Sequence, residues 1–260
     1  MIAYYENSVG ERINLVKKPF RMTDANVFDS DWSTSVDGYK ISVSIDVFGK
    51  KDEFRENMET LYRVTAVDSE QGIYGKLFIN NYCIRCNVYS SEKTGWKGFI
   101  YTEVSLIFLA PDLAWELAIT KQFYKSEKPQ VGFGLDYPFD YPFDYTGEKG
   151  GVLEWNIDTV TDSDFTMIVY GPCVNPRILI NNNPYEVIIT LESDEYFVVD
   201  SQQQSITKFL SNGTTSNLFD DRGYNFSIFS PLPHGLVRFD WSGGFGYDIT
   251  VYLKRREAPW

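Results

Sequence analysis

Histidine is nearly absent from this chain, His234 being the only one among 260 residues. A hydrolytic triad would have to use it as its base. No Gly-x-Ser-x-Gly elbow accompanies it, and it stands between prolines and glycine in Pro231-Leu-Pro-His-Gly235, which reads as a surface loop. Cysteine is scarce as well, limited to Cys83, Cys86 and Cys173. An odd count without a secretory leader does not describe a disulfide framework, so reduced and mostly buried thiols are expected. Cys83 and Cys86 fall in a strand-like run, where residues three apart point to opposite faces. A zinc knuckle needs a turn that brings both thiolates together, and no second Cys-x-x-Cys exists to complete four ligands. The reading therefore assigns no catalytic residue, no metal ligand and no cofactor site.

Basic residues are outnumbered, 24 against 36 acidic, for a formal net charge of −12. Phosphate affinity comes mainly from Lys and Arg, so direct binding to nucleic acid or an anionic membrane is not expected. Uncharged apolar runs long enough to span a bilayer are missing. The N-terminal Met1-Ile-Ala-Tyr-Tyr-Glu6 lacks the basic and apolar regions of a secretory signal. The chain is expected to be made in the cytoplasm and to stay soluble there. Gly243-Gly-Phe-Gly246 has neither the spacing nor the Lys-Ser/Thr of a phosphate loop, and a hairpin turn is expected instead. Carboxylates are so abundant that no pair stands out as an acid–base couple. These absences point away from an enzyme.

Aromatics, by contrast, are plentiful at 17% of residues, which favours strands and sheet packing. Ile41, Val43, Ile45 and Val47 alternate with Ser42, Ser44 and Asp46, as in a half-buried strand. The period then changes: over residues 51–67, Phe54, Met58, Leu61, Tyr62 and Thr65 form a helical stripe, with the charged residues largely off it. Runs at 75–79 and 82–89 flank Asn80-Asn81, a connection suited to a tight hairpin. Strands are expected at 97–109, ending at Pro111, and at 115–123.

Composition shifts after residue 125. Asp136-Tyr-Pro-Phe and Asp140-Tyr-Pro-Phe repeat back to back, closed by Gly147 and Gly150-Gly151. Prolines four apart deny a sheet its donors and push the preceding residues to extended geometry, so an aromatic connector is expected. Beyond it come short strands at 152–157, 165–170, 177–180, 185–191, 196–199, 225–229, 236–241 and 247–253. Turn signals such as Asn175-Pro176 and Asn212-Gly213 separate them. Many short strands at this spacing indicate a β-sandwich. The expected fold is mainly β: a β-rich α+β domain with one clear helix (1–130), a connector (131–150) and a sandwich (151–260).

Several of these features occur in one order that resembles a known family. They are the early strand and the charged helix through Leu61-Tyr62, the hairpin Gly75-Lys-Leu-Phe-Ile-Asn-Asn-Tyr82, and Phe108-Leu-Ala-Pro-Asp112 with Trp115. The doubled Tyr-Pro-Phe-Asp motif, Tyr170-Gly-Pro, Val174-Asn-Pro-Arg177-Ile and the closing Asp248-Ile-Thr-Val-Tyr252 follow. Together they resemble the distal tail proteins of siphophages, which join the tail tube to the baseplate or tip. The resemblance covers nearly the whole chain. It implies a homohexameric ring of N-terminal domains with galectin-like C-terminal sandwiches pointing outward, located in the virion tail. It also implies contacts with the tail tube protein, the tail-associated tip protein and receptor-binding proteins, and DNA passing through the channel without specific binding. It carries no catalytic residues, and the chain has no spare length for an inserted carbohydrate-binding module. The source is a phage, a prophage or a phage-derived device. An alternative from the residues alone is a carbohydrate-binding sandwich acting in adhesion to a host surface. If the ring forms, acidic or neutral side chains are expected along its channel.

Overall fold

The computed structural model describes residues 1–29, 31–125 and 151–259. The fold is mainly β, built from antiparallel strands with one long helix. The chain divides into two compact units: Met1–Ala118 with Lys254–Trp260, and Ile119–Leu253. This division differs from the expected 1–130 and 151–260. The expected connector at 131–150 lies outside the described residues.

In the first unit two sheets share one long strand. The first half of Tyr82–Thr94 pairs with Gly75–Ile79, which continues to Ala3–Glu6 and Arg12–Asn14. Its second half pairs with Tyr101–Ala110, followed by Gly38–Phe48 and the short edge strands Phe20–Met22 and Ser33–Ser35. The register slips between Val88 and Ser90, leaving Tyr89 as an extra residue where the strand passes from one sheet to the other. Alternation decides what is inside. Ile41, Val43, Ile45 and Val47 are buried against Val104, Leu106 and Phe108, and Ala3, Tyr5, Leu77, Ile79, Ile84 and Cys86 join the same core.

The helix Lys51–Gln71 closes that core. Its start is favoured by Asp52 and Glu53 in the first turn, where carboxylates meet the positive end of the helix dipole. Glu53 Oε2 also accepts the Lys50 N–H at 3.1 Å. Phe54, Leu61, Val64, Thr65 and Asp68 are its buried side. The expected stripe was too short and slightly rotated: Tyr62, one step of about 100° from Leu61, is 64% exposed.

The extra turn ends at Gly72 and is held by polar groups. Asp68, with no exposed surface, accepts the Tyr5 hydroxyl proton at 2.5 Å and the Ser8 N–H at 2.9 Å. Gly75 lies so close that a Cβ there would come within 2.4 Å of both Asp68 Oδ2 and the Glu6 carbonyl. Burial, with Asp68 beside it, pushes the Tyr5 phenol far above its ordinary range, so it remains a donor. Asn7 adds a tie by donating to the Val64 carbonyl at 3.3 Å.

The second unit is a sandwich. One sheet runs Thr215–Asn217, Ser205–Phe209, Tyr196–Asp200, Phe165–Tyr170, Tyr247–Arg255. The other runs Gly151–Ile157, Gly235–Trp241, Arg177–Ile180, Asn183–Glu186. Phe165, Met167, Val169, Phe197, Val199 and Ile249 from the first face Ile178, Ile180, Val237 and Phe239 from the second in one core. A small pair, Cys173–Val174 with Thr190–Leu191, lies beside them. Phe123 explains the position of the unit boundary. Its ring stacks on Tyr247 at 4.3 Å and meets Phe239 and Trp241 at 4.9 and 5.6 Å, so the end of the strand Trp115–Phe123 belongs to this core.

Some of the expected strands and turns are corrected. Residues 225–229 form no strand, and 185–191 splits into parts of two strands. The turn at Gly243 joins strands of different sheets and is no hairpin. The run from 97 begins with the 3-10 turn Gly98–Ile100, and its strand starts only at Tyr101. At Asn80 the expected hairpin is present, with φ +53°.

Two outcomes follow from this packing. Leu61→Asp should cost at least roughly 3 kcal/mol by burying a carboxylate without a partner; thermal melting at the parent temperature would mean that this helix face is not buried. A fragment of residues 119–253 should unfold cooperatively. One starting at residue 148 loses Phe123 and should be less stable by about 3 kcal/mol or more. Equal denaturation midpoints for the two fragments would contradict the assignment of Phe123 to the sandwich core.

Candidate interaction surfaces

Among the described residues no group of three or more His, Cys, Asp or Glu is placed to hold a metal. No helix there is long and apolar enough to cross a membrane. His234 sits at the surface, its Nδ1 3.1 Å from Asp162 Oδ1, and its backbone N–H reaches the same oxygen at 3.3 Å. The pair ties down a loop. The three cysteines are unpaired with one another. Cys86 is fully buried and Cys83 half-buried on the opposite face of the strand, as the spacing requires. Burial pushes the Cys86 thiol strongly upward and that of Cys173 to about 11, which leaves little reactive thiolate near neutrality.

The first unit presents an open sheet face opposite its core. Ser42, Ser44 and Asp46 alternate with buried Val43 and Ile45, and pair in register with Ile107, Ser105 and Glu103. Glu92 and Ser90 continue the rows on the next strand. Ser42 and Ser105 hydroxyls are 2.9 Å apart. Asp46 accepts from Arg21 Nη2 at 2.9 Å and from the Tyr101 hydroxyl at 2.8 Å, and the second bond holds the Tyr101 phenol above its usual range. At the far end Lys40 lies 3.6 Å over the Tyr89 ring. The face thus carries small hydroxyls, Ile107 and the carboxylates Glu103 and Glu92, with Asp46 buried beneath Arg21 and Tyr101 and Lys40 at the far end.

A second surface is the turn joining the strands Tyr82–Thr94 and Tyr101–Ala110 of this sheet. Trp96 and Ile100 are 64% and 59% exposed, and Phe99 meets Trp96 edge-on at 6.0 Å. Gly98, at φ +65°, adopts the left-handed conformation that a side chain would strain. Arg55 of the helix lies 4.9 Å over Phe99, and Lys97 lies 5.4 Å over Tyr101. Large exposed aromatics grouped at a tip mark a protein contact more often than isolated ones do. The strand expected at 97–109 took in Phe99 and Ile100, which lie in this turn. Gly95 and Gly98, bracketing Trp96, were the available signal of a turn.

On the second unit the two outer sheet faces differ. Val152, Glu154 and Asn156 pair with Asp240, Arg238 and Leu236 on one, an ordinary mixed and solvated surface. On the other, outward positions carry Tyr170, Tyr196, Phe209, Ile168 and Val198.

The chain has the fold of phage baseplate and tail-hub proteins. A chain of the phage P2 baseplate in its activated conformation with Ca aligns with TM-score 0.60, covering 99% of this chain and 100% of that one at 10% identity. The activated P2 baseplate with Sr gives TM-score 0.60, with 99% of each chain covered at 10% identity. The SPP1 Dit protein, described as a paradigm of the hub adsorption apparatus in phages infecting Gram-positive hosts, gives TM-score 0.51 over 98% of this chain and 88% of that one, also at 10% identity. By sequence, no protein-family model and no curated protein matches the chain. What is shared at this identity is the fold, in agreement with the family resemblance read from the motifs.

Proposed function

We propose that this chain is a non-catalytic structural subunit of a phage-type tail, a hub between the tail tube and the baseplate or tip. The observation that carries this reading is end-to-end correspondence. The fold likeness covers 99% of this chain and 100% of a baseplate chain, so it takes in both units. Function in such a part is geometric: surfaces placed for neighbours above, below and beside it.

The assembled form is a homohexameric ring. Heterologous contacts close into a ring when the rotation between copies fits, and the Trp96, Phe99 and Ile100 tip supplies an apolar element for such contacts. The Ser42, Ser44, Ser105 and Glu103 face is the one suited to a channel. Six copies at −12 each give 6 × −12 = −72, and carboxylates along that face repel the phosphates of passing DNA. The partners are a tail tube protein, a tip protein and receptor-binding proteins held on the sandwich side, and the place of action is the virion tail.

Sedimentation of the full chain at micromolar concentration tests the ring. A species near six subunits is expected, and Trp96→Glu should shift it toward monomer without lowering the melting temperature of the chain. A strict monomer at high concentration, with purified tube protein also present, contradicts the reading.

A further inference from the structure

We infer that the outer face of the Thr215–Asn217 to Phe165–Tyr170 sheet binds a neutral oligosaccharide. This goes beyond the hub reading and stands independently of it, since a single chain carries the whole site. The first observation is a row of aromatic rings where solvated residues would be ordinary. Tyr170 is opposite Tyr196, Tyr196 is opposite Phe209, and Phe209 is opposite Thr215 across four consecutive strands. Tyr196 and Phe209 stack at 4.8 Å with planes 9° apart, and Tyr170 follows at 6.3 Å, still 40% exposed. The Tyr170 hydroxyl donates to Asp248 at 2.9 Å, which fixes that ring in place. Adjacent strands lie about 4.8 Å apart, so the row crosses roughly 14 Å, the reach of a short oligosaccharide.

The second observation is the hollow in which the row ends. It encloses about 270 Å³, close to the smallest ligand sites, roughly 300 Å³, and enough for one sugar ring. The amides of Gln204 and Asn217 and the hydroxyls of Ser205, Thr207 and Thr215 line it, and no lining side chain is charged. Asn217 Oδ1 accepts the Phe219 N–H at 2.8 Å, which leaves the Asn217 NH₂ as a donor. Phe219 contributes an apolar edge, because its faces are taken by Phe229 at 5.8 Å and by the Arg222 guanidinium at 3.9 Å.

Charge selects the ligand class. Beside the aromatic row the charged outward residues are Asp200 and Asp248, both carboxylates, while Lys254, at the far end of its strand, lies 3.6 Å from Glu116. Lys208 lies on the other side of its strand and is bound to Glu195 at 2.7 Å. A polyanion would meet like charge here, and a cationic peptide would find an uncharged hollow. Neutral hydroxyls and amides on a ligand with apolar C–H groups match the lining, because the polar groups pair with Asn, Gln, Ser and Thr while the C–H groups pack on the exposed Tyr170 ring and on the edges of the stacked Tyr196 and Phe209 rings.

The test uses the full chain on an array of neutral hexose, N-acetylhexosamine and deoxyhexose oligosaccharides, with sulfated and phosphorylated glycans alongside. Saturable binding to at least one neutral glycan is expected. Titration of that glycan should show roughly tenfold weaker binding for Asn217→Ala and for Thr207→Val, variants that should melt close to the parent. Leu236→Ser, on the opposite sheet, should bind like the parent. Binding to anionic glycans alone, no binding to any neutral glycan, or binding that Asn217→Ala and Thr207→Val both leave intact would each overturn the inference.

Discussion

The buried carboxylate of Asp68 is the constraint around which the first unit is arranged. A charge taken out of water costs several kcal/mol unless hydrogen bonds replace its hydration, and Tyr5 and Ser8 supply them. Those two residues belong to the first strand and the turn after it, so the end of the helix can be satisfied only when the N-terminal strand lies beside Gly75–Ile79. Gly75 is glycine because carboxylate and backbone oxygens occupy the place of its Cβ. One polar group thereby orients three elements, and hydrophobic burial along the two sheets does the rest. The long strands turn their apolar side to the core, which leaves mostly polar residues on their other face.

That open face and the aromatic tip give the hub reading its physical content. A ring subunit needs one surface that attracts its own kind and one that attracts nothing. Trp96, Phe99 and Ile100 are exposed as a group, which is costly in water unless another surface covers them. Carboxylates on that face repel a phosphate backbone, and its serines bring no positive charge to hold one. The second unit is different in character, with an aromatic outer sheet face and a neutral hollow.

Much of this architecture was legible in the sequence, and the misses have physical causes. The alternation from Ile41 to Val47 and the Asn80-Asn81 hairpin were readable because one face is wholly apolar and the turn needs φ above zero. Ser205–Phe209 and Thr215–Asn217 were missed because strands that face water carry little periodicity. Ala3–Glu6 and Arg12–Asn14 are too short for a repeat to show. The last turn of the helix rests on a carboxylate, which a search for apolar stripes passes over. The hollow could not be read at all, since it joins Gln204, Thr215 and Phe219 through register and not through spacing. In the surface regions the residue types were informative only once Trp96 and Phe99 were seen to be exposed.

The central claim is that copies of this chain close into a ring whose channel is lined by the Ser42, Ser105 and Glu103 face. Electron cryomicroscopy of the purified assembly tests it most directly. The account predicts a six-fold ring with those residues turned to the axis and the lumen acidic or neutral. A lumen lined by Lys and Arg, or a ring with that face turned outward, would contradict it.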